Sequence, residues 1–281
     1  MTTTVSLTIR PLTSAIGAEV EGVDLREPLD DAAIAAVRAA LLDHLVLFFP
    51  DQDISPTDQV RFARYWGEPM KSTGTRTTDN IEGVGVIDQV APVGHGTDAW
   101  HSDHLFMPEP PMGTLLRSVQ LPSVGGDTCF ASMYAAYDAL SPAMKAFLEP
   151  LTSWNSPAKV VARVKSKGVY ANDIEREMPA PTRHPVVRVH PETGRKALFV
   201  CSGFTHRIDE LEEHESDAVL QMLFKHIESP FFQVRYRWRT NCLAFWDNRV
   251  TQHLAVPDYS ERRVMHRTMI GGGGPVHGPN A

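Results

Sequence analysis

Between Ala33 and Leu42 the apolar residues Ile34, Val37, Leu41 and Leu42 fall at helical spacing behind Asp30 and Asp31. This predicts a helix with acidic residues at its positive end. The uniformly apolar run Leu45 to Phe49 follows directly and predicts a buried strand. Ser55-Pro56-Thr57-Asp58 supplies a cap residue, a proline at the first helical position and an acid in the first turn, so a second helix should run to about Tyr65. Ser141-Pro142 repeats the device before Ala143 to Leu148. Val219, Leu220, Leu223 and Ile227 make Glu215 to Glu228 an amphipathic helix. Val234, Tyr236 and Trp238 alternate with polar partners from Gln233 to Trp238, which predicts a strand, as does the run Leu243 to Trp246. Pro185 to His190 and Lys196 to Cys201 read as strands around the turn Pro191-Glu192-Thr193-Gly194. Two stretches carry neither period. Lys71 to Asn80 is polar and Thr-rich, a loop that could act as a lid, and Ser153 to Pro181 reads as a long irregular segment. The whole predicts one domain over residues 1–281, mainly β with flanking helices, built as a sandwich or barrel.

A net charge of −7 lacks the basic stripe that phosphate backbones require, so nucleic acid is not expected as a partner. Cys129, Cys201 and Cys242 are odd in number and widely spaced, which suits buried reduced thiols better than a disulfide framework or a zinc knuckle. The first residues, Met1 to Leu7, have no basic stretch followed by an apolar one, and Leu45 to Phe49 cannot span a bilayer. The expected location is therefore cytoplasmic, with no membrane partner. A homo-oligomer is left open.

Trp100-His101-Ser102-Asp103 and Gln252-His253 give His-x-Asp … His, a ligand set that binds a redox metal on one face and leaves the opposite face open. On an extended segment His101 and Asp103 point the same way, while Ser102 and His104 point the other. His253 lies far along the chain, after the Leu243 to Trp246 strand, as a ligand delivered from a neighbouring strand would. A surface hydrogen-bonded pair is the plain alternative for a lone His-x-Asp. Arg262, Arg263 and Arg267 follow His253 closely and supply guanidinium forks suited to a carboxylate or sulfonate, unless they only balance Asp258 and Glu261. Gly125-Gly126-Asp127-Thr128 places a hydroxyl after a glycine turn, which in most sequences is a hairpin and nothing more. His104, His206 and His266 suit supporting hydrogen bonds or packing.

In their order these stretches resemble the taurine dioxygenase-like family of Fe(II)- and 2-oxoglutarate-dependent oxygenases. The likeness runs from Ile16-Gly17-Ala18-Glu19-Val20 to Arg262-Arg263-Val264-Met265-His266-Arg267 and is densest in Trp246-Asp247-Asn248-Arg249-Val250-Thr251-Gln252-His253. It implies a double-stranded β-helix, or jelly roll, with His101, Asp103 and His253 holding Fe(II). Arg263 and Thr128 would bind the distal carboxylate of 2-oxoglutarate, Arg267 would grip the substrate's anionic group, and Phe204 would line that pocket. The implied reaction consumes O2 and hydroxylates a small or medium anionic organic substrate (a sulfonate, sulfate ester or carboxylate), releasing succinate and carbon dioxide. The chain departs from taurine-acting members at Trp66 to Lys71 and at Thr97-Asp98-Ala99, where Lys71 could replace one positive charge. Met107 to Met112 would add flexible apolar surface for a larger substrate. Two other uses of the trio are a cupin-like sensor that binds metal and anion without turnover, and a Zn-dependent hydrolase.

Overall fold

The computed structural model describes residues 7–71, 76–78, 81–90, 99–166 and 179–280. Its front end follows the predicted caps. The Asp30 carboxylate accepts the Ala33 N–H and opens α1 (Asp31–His44). Leu45 closes α1 in the left-handed region at φ 65°, and the chain enters β3 (Val46–Phe49) at once. Ser55 and Asp58 satisfy each other's backbone N–H groups in a capping box that starts α2 (Pro56–Arg64).

β3 lies inside an eight-stranded sheet ordered β1 (Thr8–Pro11), β2 (Ala18–Glu21), β3, β14 (Leu243–Asp247), β6 (Gly113–Gln120), β16 (Arg262–Ile270), β5 (Gly85–Val90) and β4 (Arg76–Thr77). Both faces of this sheet are covered. Phe48, Leu116, Ala244 and Trp246 enter one core, while Leu47, Phe49, Leu115, Leu243 and Phe245 enter a second with Val37, Leu41, Phe62 and Trp66 of the helices and their flanks. Strand side chains alternate between faces, so burial on both sides is why β3 and β14 read as continuous apolar runs.

Across the first core stands a three-stranded sheet ordered β13 (Gln233–Tyr236), β7 (Thr128–Ser132) and β15 (Thr251–Ala255). Phe130 of β7 meets Trp246 edge to face, with ring centroids 5.4 Å apart, and Tyr236 of β13 stacks on Phe48. β7 runs directly into α3 (Met133–Asp138), and Ser141 caps α4 (Pro142–Leu148) as predicted. The amphipathic helix predicted near Glu215 is α6 (Glu213–Ile227), with Leu220, Leu223 and Ile227 buried.

The structure corrects three readings. Ser153 to Pro181 is not irregular throughout: it holds most of β8 (Thr152–Asn155) and all of α5 (Ala158–Ser166), with residues 167–178 outside the described residues. β8 escaped the hydropathy pattern because two of its buried residues are polar. Asn155 Nδ2 donates to Ser153, and the Thr205 hydroxyl donates to Asn155 Oδ1 at 2.7 Å. Pro185 to His190 is not one strand either. It divides into β9 (Thr182–Pro185), which pairs with β8 beside β12 (Thr205–Ile208), and β10 (Val187–Val189), which pairs with β11 (Lys196–Leu198). Between them Val186 gives its N–H to Leu151 and takes that of Phe199. The Lys71 to Asn80 loop contains β4; residues 72–75 and 79–80, where a lid was expected, lie outside the described residues.

A buried ionic network ties β14 to the helical layer. Asp247 accepts from the N–H, Nε and Nη2 of Arg249 and from His190 Nε2 at 3.0 Å, while Arg249 Nη1 reaches Glu192, which also pairs with Arg38 of α1. Burial disfavours the Asp247 charge, but hydrogen bonds from Arg249 and His190 outweigh that and hold its carboxyl below the usual carboxylate range. A depressed folded value stabilises above the unfolded pKa of about 3.9, and that contribution disappears as pH falls through the folded value. Asp247→Asn is therefore expected to lose roughly 3–5 kcal/mol at pH 7. The gap to the parent should narrow below about pH 4, as checked by urea unfolding at both pH values.

Candidate functional site

A single antiparallel bridge brings the predicted trio together. His101 N–H donates to the His253 carbonyl at 3.1 Å and His253 N–H donates back to the His101 carbonyl at 2.8 Å, so segments 152 positions apart become neighbours. Asp103 Oδ1 then lies 3.9 Å from Nε2 of each imidazole, all three side chains are buried, and one donor atom from each falls within 4.8 Å of the others. Ser102 points away, as alternation requires, and its hydroxyl donates to the Thr251 carbonyl at 2.9 Å. His104, at φ 48°, ends the extended run and stacks on Phe106.

Two residues that sequence reasoning missed hold Asp103. Asn248 accepts the Asp103 N–H through Oδ1 at 2.7 Å and donates through Nδ2 to the Asp103 carbonyl at 2.8 Å, copying a strand partner with a side chain. Thr114 of β6 donates its hydroxyl to Asp103 Oδ2 at 2.7 Å. Asn248 sat in plain view between Asp247 and Arg249; Thr114, in a strand that mixes Leu115 and Leu116 with Arg117 and Ser118, gave no signal.

The protonation states suit a cation. A carbonyl can only accept, so the 2.8 Å contact between His101 Nδ1 and Ala99 O puts the proton on Nδ1 and leaves the Nε2 lone pair facing Asp103. Burial pushes both imidazoles down, His253 to about 3, so both are neutral at physiological pH. Burial alone would raise Asp103, but the positive charges around it prevail and keep it ionised. At neutral pH the cation beside it is Arg267, whose Nη1 lies 3.7 Å from Oδ1.

The arginines divide by strand alternation. Arg262 faces solvent and pairs with Asp88, whereas Arg263 is only 4% exposed. The balancing of Asp258 and Glu261 falls to others: Arg235 pairs with Asp258, and Ser123 donates to Glu261. Arg263 lies near the rings of Trp238 and Tyr259, and its Nε and Nη2 have no partner among the described residues. Trp238 Nε1 donates to Thr128 Oγ1 at 2.9 Å, which leaves the Thr128 hydroxyl proton free to donate. The glycine pair does more than turn the chain. Gly125 and Gly126 both have positive φ, and a Cβ would meet the Asp258 carbonyl at 2.6 Å in one case and Arg263 Cδ at 3.2 Å in the other. Phe204 stands edge-on to His101 and to Phe106. Lys71 is exposed, and residues 97 and 98 lie outside the described residues. Met112 is buried in the helix-side core, so it packs and does not line a substrate surface.

Residues 8–269 match the family described as taurine catabolism dioxygenase TauD, TfdA family. The chain belongs to the TauD, TfdA family. An alkylsulfatase of Acinetobacter baylyi is 34% identical over 277 residues, covering 96% of this chain and 86% of that protein. An (S)-phenoxypropionate/alpha-ketoglutarate-dioxygenase of Sphingobium herbicidovorans is 35% identical over 274 residues, covering 94% of each. Among solved structures, a putative alpha-ketoglutarate-dependent taurine dioxygenase from Burkholderia xenovorans superposes with a TM-score of 0.86 at 33% identity, covering 98% of this chain and 96% of that one. The two facing sheets are therefore the jelly roll that the resemblance implied. As a TauD, TfdA dioxygenase the chain is an oxidoreductase, and dioxygenases of this family use Fe(II), 2-oxoglutarate and O2. Neutral imidazoles with an ionised carboxylate fit a divalent metal, and a buried guanidinium with two unbonded nitrogens fits a dicarboxylate.

Asn248→Ala is expected to leave the Asp103 N–H and carbonyl without partners and to cost roughly 1–3 kcal/mol per buried group. The urea midpoint should fall accordingly.

Proposed function

We propose that this chain is an Fe(II)- and 2-oxoglutarate-dependent dioxygenase that hydroxylates a small or medium anionic organic molecule beside its acidic group. The observation that carries this reading is Arg263, a buried cation with two unpaired nitrogens. A buried charge whose donors are only partly bonded is costly, so the site calls for an anion. In this reading His101, Asp103 and His253 hold the metal, and Arg263 with the Thr128 hydroxyl binds the distal carboxylate of 2-oxoglutarate. Arg267 takes the substrate's anionic group, and Phe204 packs against the carbon skeleton. Lys71 enters only as an exposed positive charge.

When bound, Fe(II) with 2-oxoglutarate and O2 supplies the oxidation that places a hydroxyl on an unactivated carbon, while 2-oxoglutarate becomes succinate and carbon dioxide. The protein's share is placement and exclusion. Two guanidinium groups four positions apart on β16 hold two anions in fixed relation, and the aromatic edge of Phe204 beside His101 keeps water from the target carbon. Sulfonates, sulfate esters and carboxylates all offer the oxygens Arg267 can grip. The activities named for the sulfatase and phenoxypropionate relatives support the same substrate chemistry. Hydroxylation at a carbon that bears a sulfate ester or ether oxygen gives a hemiacetal-type product, which collapses to a carbonyl and the released sulfate or alcohol.

The proposal takes residues 1–281 as one oxygenase domain working in the cytoplasm. Among the described residues no helix is long and apolar enough to cross a membrane, and all three cysteines are free and buried.

An aerobic screen of anionic compounds with Fe(II) and 2-oxoglutarate, reading succinate by mass spectrometry, tests the reading; anion binding with no succinate from any compound would overturn it. Asp103→Ala should abolish succinate formation. Arg263→Ala should raise the KM for 2-oxoglutarate about 10- to 100-fold, the loss of one or two charge-assisted hydrogen bonds. Arg267→Ala should do the same for the primary substrate. Identical defects in the two arginine variants would refute this division of roles.

A further inference from the structure

Asp103 carries two oxygens in different surroundings. Oδ1 looks toward Nε2 of His101 and of His253, both at 3.9 Å, and toward Arg267 Nη1 at 3.7 Å. Oδ2 receives the Thr114 hydroxyl at 2.7 Å. The Asn248 clamp fixes the main chain at Asp103 but leaves the side-chain torsions of the carboxylate free. Thr114 removes that freedom. It sits on β6 opposite Trp246 on one side and Met269 on the other, is 0% exposed, and as a β-branched residue has few rotamers open to it. Leu115 and Leu116 after it fill the two cores, and the buried polar residues further along the strand bond elsewhere, Arg117 to Asp53 and Asn241 and Ser118 to the Arg239 and Cys242 carbonyls, so of these side chains it is the Thr114 hydroxyl that is directed at Asp103.

We propose that Thr114 is a positioning residue that holds Oδ2 and thereby presents Oδ1 alone to the metal. The inference rests on Asp103 being a ligand, as argued above. The single bond does two things. It gives the buried anionic oxygen that faces away from the imidazoles a donor, which an apolar residue could not supply. It also opposes rotation of the carboxylate toward Arg267, which would carry Oδ1 away from the imidazoles, and it disfavours chelation by both oxygens, which would occupy a position the cosubstrates need. Outer contacts of this kind typically change metal affinity about 10- to 100-fold when removed.

The test is binding of Mn(II) alone, followed by the electron paramagnetic resonance signal of the free ion, for the full chain and its Thr114→Val, Thr114→Ser and Asp103→Ala variants. Melting temperatures of the metal-free proteins are recorded in parallel. Valine keeps the shape and removes the hydroxyl; serine keeps the hydroxyl and removes a methyl. The expected result is Mn(II) affinity lowered about tenfold or more in Thr114→Val, restored toward the parent in Thr114→Ser, and abolished in Asp103→Ala. Parental affinity in Thr114→Val with loss in Asp103→Ala would overturn the role of Thr114 and leave Asp103 as a ligand. Equal weakening in the Val and Ser variants, tracking their melting temperatures, would assign Thr114 to packing and overturn the proposal as well. Parental affinity in Asp103→Ala would remove the ligand assignment, and Thr114 with it. If Thr114→Val does not fold, Thr114→Ala replaces it in the same comparison.

Discussion

Two main-chain hydrogen bonds between His101 and His253 are the constraint on which the rest of the site depends. They are short, buried and sequence-independent, and they join a segment that leads into β6 to a strand of the opposite sheet. Everything nearby can be read as support for that junction. Asn248 fastens the main chain at Asp103, Ser102 ties itself to Thr251, and Phe130 and Trp246 pack their rings against His253. Because the backbone makes the junction, the Nε2 atoms of both imidazoles are not spent on it and face Asp103. A site assembled by side-chain hydrogen bonds alone would have consumed them.

The two buried ionic assemblies differ in how far they are satisfied. Around Asp247 the carboxylate is bonded by Arg249 and His190, and the chain Asp247, Arg249, Glu192, Arg38 leads from the core to the surface. Such a network fixes a loop and asks nothing further of the protein. Arg263 is the opposite case, a guanidinium enclosed by Tyr259 and Trp238 with nitrogens left over. Close packing makes the contrast meaningful, since a protein interior does not leave donors idle where water or a side chain could fill them at little cost.

Much of this was legible in the residues. Helix starts at Asp30, Ser55 and Ser141 were readable because capping is a local matter in which one oxygen reaches one nearby N–H. The meeting of His101, Asp103 and His253 was readable because His-x-Asp on an extended segment puts both side chains on one face, where the bridge to His253 finds them. What failed was non-local. β8 has two polar residues buried by mutual hydrogen bonding, so no hydropathy pattern announces it. β4 is only two residues long and exists because β5 offers an edge. Thr114 matters through a carboxylate eleven positions before it, across a loop whose path no local rule predicts.

The large sheet feeds alternate residues of the same strands into different cores: Phe48, Leu116 and Trp246 toward the jelly-roll interior, Phe49, Leu115 and Phe245 toward the helices. Adjacent positions in the chain thus live under separate rules. In the interior set Trp246 packs on the His253 ring and Phe48 reaches that ring through Phe130, whereas the helix-side set packs with residues of α1 and α2. Such a fold is insulated by design of its pleat. Its outer half is free to diverge for stability or assembly while the chemistry on the other side of a single layer of backbone stays in register.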